Sequence, residues 1–209
     1  MTTNMDNILD QLASEGAAPA RGVSWRFAAP MFGVIAACGL GVGLALDGAF
    51  ASVETDGMGP LTVKWGFSLT LLLLAAAALF VLGKPGRPTT MALLGVAAPF
   101  VPIAALFLYE TVAFGPQVAG DTWAQCLAAM LLMSPIAFIG AVLGMRAFAP
   151  TNLRRAGLVA GLFGGAVAMT AYAPFCPERG MGYMALFYIL PILAMAGLGW
   201  LLGPRLLRW

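Results

Sequence analysis

The sequence predicts an all-α membrane protein: a bundle of six transmembrane helices with both termini on the cytoplasmic side. Three observations carry that prediction. Of the 209 residues, 61% are hydrophobic and only 10% charged, with a mean hydropathy of +0.90. An ordinary soluble domain is about 45–50% apolar and about 25% charged, and a soluble chain of this length needs more polar surface than that to cover its core. Six apolar stretches are each long enough to cross a hydrocarbon layer of about 30 Å, which takes roughly 20 residues. Finally, the basic residues cluster on alternate loops, as cytoplasmic loops require.

Taken in order, residues 1–26 form a cytoplasmic tail and residues 27–209 a single transmembrane domain. In the tail, Met5, Ile8, Leu9 and Leu12 recur at i, i+3, i+4 and i+7, which puts them on one face of a short amphipathic helix. Thr3 or Asn4 can cap its start, and Asp6 suits the first turn of the helix dipole. The first span, Phe27–Leu46, ends near Ala49-Phe50-Ala51, which resembles a signal-peptidase site. The apolar run is too long for a signal sequence and an acidic segment precedes it, so the span is read as uncleaved.

The remaining spans are Trp65–Leu82, Met91–Leu108, Trp123–Met145, Ala156–Ala173 and Met184–Leu202. Pro99, Pro102, Pro135 and Pro191 fall inside them and predict kinks, which neighbouring helices can satisfy. The pairs Gly39/Gly43, Gly140/Gly144 and Gly199/Gly203 and the triplet Gly157/Gly161/Gly165 predict close helix packing within the bundle.

Orientation follows from charge. With the N-terminus inside, the cytoplasmic segments hold Arg21, Arg26, Lys84, Arg87, Arg146, Arg154, Arg155, Arg205 and Arg208, and the outer segments only Lys64 and Arg179. That nine-to-two bias is the positive-inside pattern. The outer loops instead carry Asp47, Glu54, Asp56, Glu110, Asp121 and Glu178.

Little in the chain points to catalysis. There is no histidine, the usual general base, proton shuttle and metal ligand, and no CxxC pair among the three cysteines. The bundle interior offers Ser68, Thr70, Gln125, Ser134, Thr170, Tyr172 and Tyr188, read as interhelical hydrogen-bond partners. Neither an ion-coupled transporter nor a membrane hydrolase has its usual intramembrane charges. No catalytic residue, metal ligand or cofactor site is assigned.

The cysteines divide by depth. Cys38 lies roughly 12 Å inside the first span, at 1.5 Å per residue, and reads as a packing residue. Cys126, one turn past the interfacial Trp123, and Cys176, between Pro174 and Pro177, share the outer level. They could be a permanent disulfide, two inert thiols or a sensor pair. Arg179 is the nearest cation in the chain.

The tail invites a protein partner. A short helix is marginal alone in water and gains from laying its apolar stripe into a groove. Its polar face carries Asp6 and Asp10, with Glu15 following, whereas a helix lying on anionic lipid needs basic residues there. An acidic helix favours a partner with a basic surface.

The second half of the chain carries an ordered set of motifs. Trp123-Ala124-Gln125-Cys126 is followed by Ser134-Pro135, Arg146, Ala149-Pro150 and the glycine-rich span from Ala156-Gly157. Then come Tyr172-Ala173-Pro174-Phe175-Cys176-Pro177-Glu178, Phe187-Tyr188 and the terminal Arg205-Leu206-Leu207-Arg208-Trp209. This set resembles the NrsF (negative regulator of sigma F) family of six-span bacterial inner-membrane anti-sigma factors. The resemblance covers residues 123–209 by motif and the rest by layout.

The resemblance implies a chain that holds an extracytoplasmic-function sigma factor inactive at the inner membrane, without contacting nucleic acid itself. It implies that Cys126 and Cys176 match the family's cysteine pair, linked to responses to heavy metals and oxidative stress. The family pattern has His immediately before the second cysteine. Phe175 stands there in this chain, which favours thiol oxidation over metal coordination. The resulting expectation is a membrane-bound anti-sigma factor, not an enzyme. Met5, Ile8, Leu9 and Leu12 grip the sigma factor and Cys126 and Cys176 serve as sensor thiols. A small-solute transporter, which needs a polar cavity at mid-bundle, and a membrane thiol oxidoreductase, which needs a quinone or a further cysteine pair, are the alternatives.

Overall fold

The structure, a computed structural model, describes residues 21–50, 53, 57–84, 87–115, 118, 120–148 and 150–208. Among them every regular element is helical. Six helices are long and apolar enough to cross a membrane: α1 (Arg21–Ala45), α2 (Gly59–Leu82), α3 (Thr90–Phe114), α4 (Trp123–Met145), α5 (Leu153–Phe175) and α6 (Met181–Leu206). The helices overrun the apolar spans. α1 begins at Arg21, ahead of Phe27; α2 begins at Gly59 and takes in Lys64; α3 continues to Phe114 and takes in Glu110. Lys64 is therefore a helical residue, not the loop residue that hydropathy alone makes it.

Proline marks each irregularity. α3 consists of Thr90–Ala97 and Phe100–Phe114. At the break, Pro102 cannot donate to the Ala98 carbonyl, which accepts from the Val101 N–H instead (3.2 Å). α6 widens into a π turn over Ala185–Ile189 just ahead of Pro191. α5 starts on Asn152, whose side-chain oxygen accepts from the Arg155 N–H at 3.0 Å, an ordinary N-cap. Its last turn, Ala173–Phe175, tightens to a 3₁₀ turn.

The bundle is organised around α5, which packs against α6, α4, α2 and α1. Of its most apolar stretch 83% is buried, against 17% for α3, so α5 is the core and α3 the periphery. α3 leans on α2 with its first half and on the start of α6 with its second. In lipid there is no hydrophobic gain from joining two apolar helices, so close packing must hold them, and glycine permits it. A Cβ at Gly157 would meet the Gly199 carbonyl, and one at Gly161 the Met195 carbonyl, so α5 and α6 touch backbone to backbone. Gly140 and Gly144 admit Val34, Pro30 and the Phe27 carbonyl of α1 in the same way. Gly39 and Gly43 face open space.

The outside is as apolar as the inside, with Leu44, Leu73, Val112, Leu132 and Leu201 well exposed, which suits a lipid solvent. The consecutive helices alternate in direction and sort the charges. Lys84, Arg87, Arg146, Arg154, Arg155, Arg205 and Arg208 gather at one end, where Arg146 reaches the Leu206 carbonyl and Arg155 reaches Thr89. Lys64, Glu110, Asp121 and Glu178 gather at the other, with Cys126 and Cys176.

Candidate functional site

Prolines also build the site at that second end. Pro174 has no N–H to offer the Thr170 carbonyl one turn back, and that carbonyl accepts from Trp65 Nε1 of α2 at 3.1 Å. Pro177 biases the residue before it toward extended backbone. Cys176 duly leaves the helix at φ −99°, ψ 113°, and its carbonyl accepts from Lys64 Nζ at 2.8 Å. In α6, Pro191 withholds the ordinary helical donor from the Phe187 carbonyl. Cys126 of α4 donates its thiol proton there, with Sγ 3.8 Å from the oxygen.

These connections bring Cys126 and Cys176 together. Both are reduced and buried, and their sulfurs are close enough to interact directly. Three buried tyrosines close over them, Tyr172, Tyr183 and Tyr188. The Tyr172 and Tyr188 rings stand 6.3 Å apart and Tyr183 packs 4.6 Å from Phe187. The Tyr188 hydroxyl lies by both sulfurs without a formed hydrogen bond, an orphaned polar group of the kind that tends to mark a functional position. Two carboxylates clamp the helix starts around the pair. Glu178 Oε1 accepts from the Asp121 N–H (3.0 Å), the Thr122 N–H (3.3 Å) and the Thr122 hydroxyl (3.1 Å) at the head of α4. Glu110 accepts from the Met181 N–H at the head of α6 through both oxygens, at 2.9 and 3.0 Å. Each carboxylate sits where a helix dipole favours negative charge.

The electrostatics of the pair are lopsided. The Cys176 thiol is held below its ordinary range, chiefly by the adjacent Cys126 thiol. Burial works against this, and the Lys64 ammonium and Tyr188 hydroxyl assist it. The depressed group can act as a nucleophile, because the thiolate is the reactive form. Among the described residues no group of three or more His, Cys, Asp or Glu side chains is placed to hold a metal ion.

Cys38 stays apart from this cluster, buried on α1 along an apolar groove of about 430 Å³ shared with Gln125, Leu132 and Tyr172. A second groove, of about 450 Å³ between α4 and α6, is lined by Met130, Leu190 and other apolar residues, with Ser134 among them. The tail residues Met5, Ile8, Leu9 and Leu12 lie outside the described residues. The sequence offers Arg179 as the cation nearest to Cys176 along the chain. It misses Lys64, which comes to Cys176 from 112 positions away, and the helix-clamping roles of Glu110 and Glu178.

The class of protein is now defined: a six-helix bundle of membrane-spanning length with a covered, reduced thiol pair at one end. Residues 10–209 match the family described as negative regulator of sigma F, NrsF, and the chain belongs to that family. It is 34% identical over 155 residues to the probable anti-sigma-F factor NrsF of Azospira oryzae, covering 70% of this chain and 71% of that one. It is 37% identical over 91 residues to the anti-sigma-F factor NrsF of Caulobacter vibrioides, covering 43% and 42% respectively. No solved structure matches.

Proposed function

We propose that the protein is an anti-sigma factor of the bacterial inner membrane. It sequesters an extracytoplasmic-function sigma factor through its cytoplasmic tail and releases it under oxidative or heavy-metal stress. The observation that carries this reading is the family match along residues 10–209, supported by two relatives named anti-sigma-F factors. The nine-to-two bias of basic residues supports cytoplasmic termini and, with them, a thiol end on the outer side. Met5, Ile8, Leu9 and Leu12 supply the apolar stripe that docks on the sigma factor. Replacing Ile8 and Leu9 together by Asp is expected to switch on sigma-dependent transcription while membrane levels of the protein stay normal. Unchanged repression in that variant would remove the tail from the mechanism.

Release is read as a change at the thiol pair. Cys126 and Cys176 join α4 to the end of α5, with α2 touching Cys176 through Lys64 and α6 touching Cys126 through Phe187. A modification there favours a different packing of four helices, and a ligand's grip changes only if its contacts differ between the two packings. The Cys126→Ser/Cys176→Ser double variant is expected to lose transcriptional induction by oxidant, whereas Cys38→Ser keeps it. A normal response in the double variant would leave the pair a structural role.

A further inference from the structure

Lys64 is one turn into α2, 5% exposed, and among the described residues its ammonium donates to a backbone carbonyl, that of Cys176. A carbonyl carries no charge to balance an ammonium, and a charge taken out of water is costly unless it is paired. Among the described residues no carboxylate pairs with Lys64; Glu110 and Glu178 are committed to helix starts. Among the described residues the nearby group that can become an anion is the Cys176 thiol. Cys126 is placed for the opposite state: its sulfur donates to the Phe187 carbonyl, and a thiolate has no proton to donate.

Access is lopsided as well. A small crevice of about 10 Å³ is lined by Gly57, Pro60, Leu61, Lys64, Cys176 and Pro177. It has room for about one water-sized molecule. Cys176 and Lys64 line it, and Cys126 does not.

We propose that Lys64 is the positioning residue that makes the pair asymmetric: it holds Cys176 as the thiolate that reacts first, leaving Cys126 as the protonated partner that reacts second. This rests on the reading of the pair as the sensor. With a small hydroperoxide as oxidant, the Cys176 sulfur takes one oxygen as the O–O bond breaks. The other oxygen leaves as alkoxide or hydroxide and takes a proton from solvent. The Cys126 sulfur then attacks the Cys176 sulfenic acid. An S–S bond forms, the S–O bond breaks, and the displaced hydroxide leaves as water with the Cys126 proton. The dithiol loses two electrons and the peroxide gains them.

The test is site-resolved alkylation of the full-length protein in isolated membranes with iodoacetamide, read by mass spectrometry from about pH 5 to about pH 10, on either side of an ordinary thiol pKa near 8.5. In the unaltered protein Cys176 is expected to label before Cys126. In Lys64→Met the Cys176 profile should move to higher pH, with labelling near neutrality slower by about tenfold, since an adjacent opposite charge shifts a pKa by about one unit or more. Above both pKa values the order reverses and Lys64→Met labels faster, because thiolate nucleophilicity falls as the pKa falls. A merely structural role for Lys64 does not produce that crossing. Lys64→Arg keeps the charge and should restore the profile, which separates loss of charge from misfolding. Faster labelling of Cys126, or one Cys176 profile in all three proteins, would overturn the inference. Sensing is judged separately by the transcriptional response of the double serine variant, so the two ideas fail independently.

Discussion

At the thiol end of the bundle, charged side chains point inward and are used up by backbone groups: Lys64 on the Cys176 carbonyl, Glu178 on the head of α4, Glu110 on the head of α6. At the opposite end the arginine side chains stay exposed and Lys84 is half-buried. Arg146 donates to the Leu206 carbonyl, Arg155 to the Thr89 hydroxyl, Arg154 lies 4.6 Å over Trp200 and Lys84 3.9 Å over Phe80. The first arrangement fixes loops onto helix ends, and losing one member strands partially buried partners. The second leaves each charge near water, where it can be exchanged for another contact at little cost. One end is built to hold a geometry, and the other to remain available.

The bluntest way to break this contrast is to ask which end faces the cytoplasm. A reporter active only in the cytoplasm is expected to work when fused at residue 208 and to be silent when inserted at residue 50 or residue 178. Activity at residue 178 would put the thiol pair in the cytoplasm and undo the outward-facing sensor.

A smaller effect sharpens it. Glu178→Ala removes three hydrogen bonds from one carboxylate oxygen, two of them from backbone N–H groups with no helical partner at the start of α4. Bonds to a charged acceptor are worth about 1.5–3 kcal/mol each. They share one oxygen and the site is half-buried, so a loss of about 2 kcal/mol is expected, read as a lower melting temperature in detergent. Glu178→Gln, which keeps an acceptor oxygen, should recover part of it. A melting temperature unchanged by Glu178→Ala would mean that the thiol end is no more tightly held than the other.

The contrast between the ends was only half legible in the sequence. Hydropathy and the basic bias located six helices and divided the arginines, because in lipid both signals are strong and local. The same hydropathy hid Lys64. A charge at the edge of an apolar run reads as a loop, and in a helix apolar on every side no periodicity shows which face is buried. Yet Lys64 is in phase with Phe67, Ser68, Leu71, Leu72 and Ala75, all buried. Once the helix is known to start at Gly59, that phase places Lys64 inside. In the sequence the meeting of Cys126 and Cys176 is one possibility among several, since it depends on which helices are neighbours. The sequence shows Pro191 as a kink and Pro174 only as a neighbour of Cys176, but not the carbonyls that these two prolines release. Those became meaningful only when Trp65 and Cys126 were found on them.

The smallest effect is expected from Arg155→Ala. Its guanidinium donates to the Thr89 hydroxyl at 2.7 Å, the shortest side-chain bond among the described residues of the basic end, and by distance alone it should matter more than the Glu178 contacts. Three considerations reverse that ranking. Arg155 is exposed, so water replaces Thr89 as soon as the bond is lost. Fixing a long side chain costs rotamer entropy that its removal returns. And the N-cap of α5 uses the Arg155 backbone N–H on Asn152, which alanine retains along with a better helix propensity. The net change is expected within about 0.5 kcal/mol, as for most surface substitutions. Asn152→Ala, which removes the cap itself, should cost about 1 kcal/mol and serves as the positive control. A drop for Arg155→Ala as large as that for Glu178→Ala would show that the basic end also fixes geometry through its side chains. The division between a holding end and an available one would then have to be abandoned.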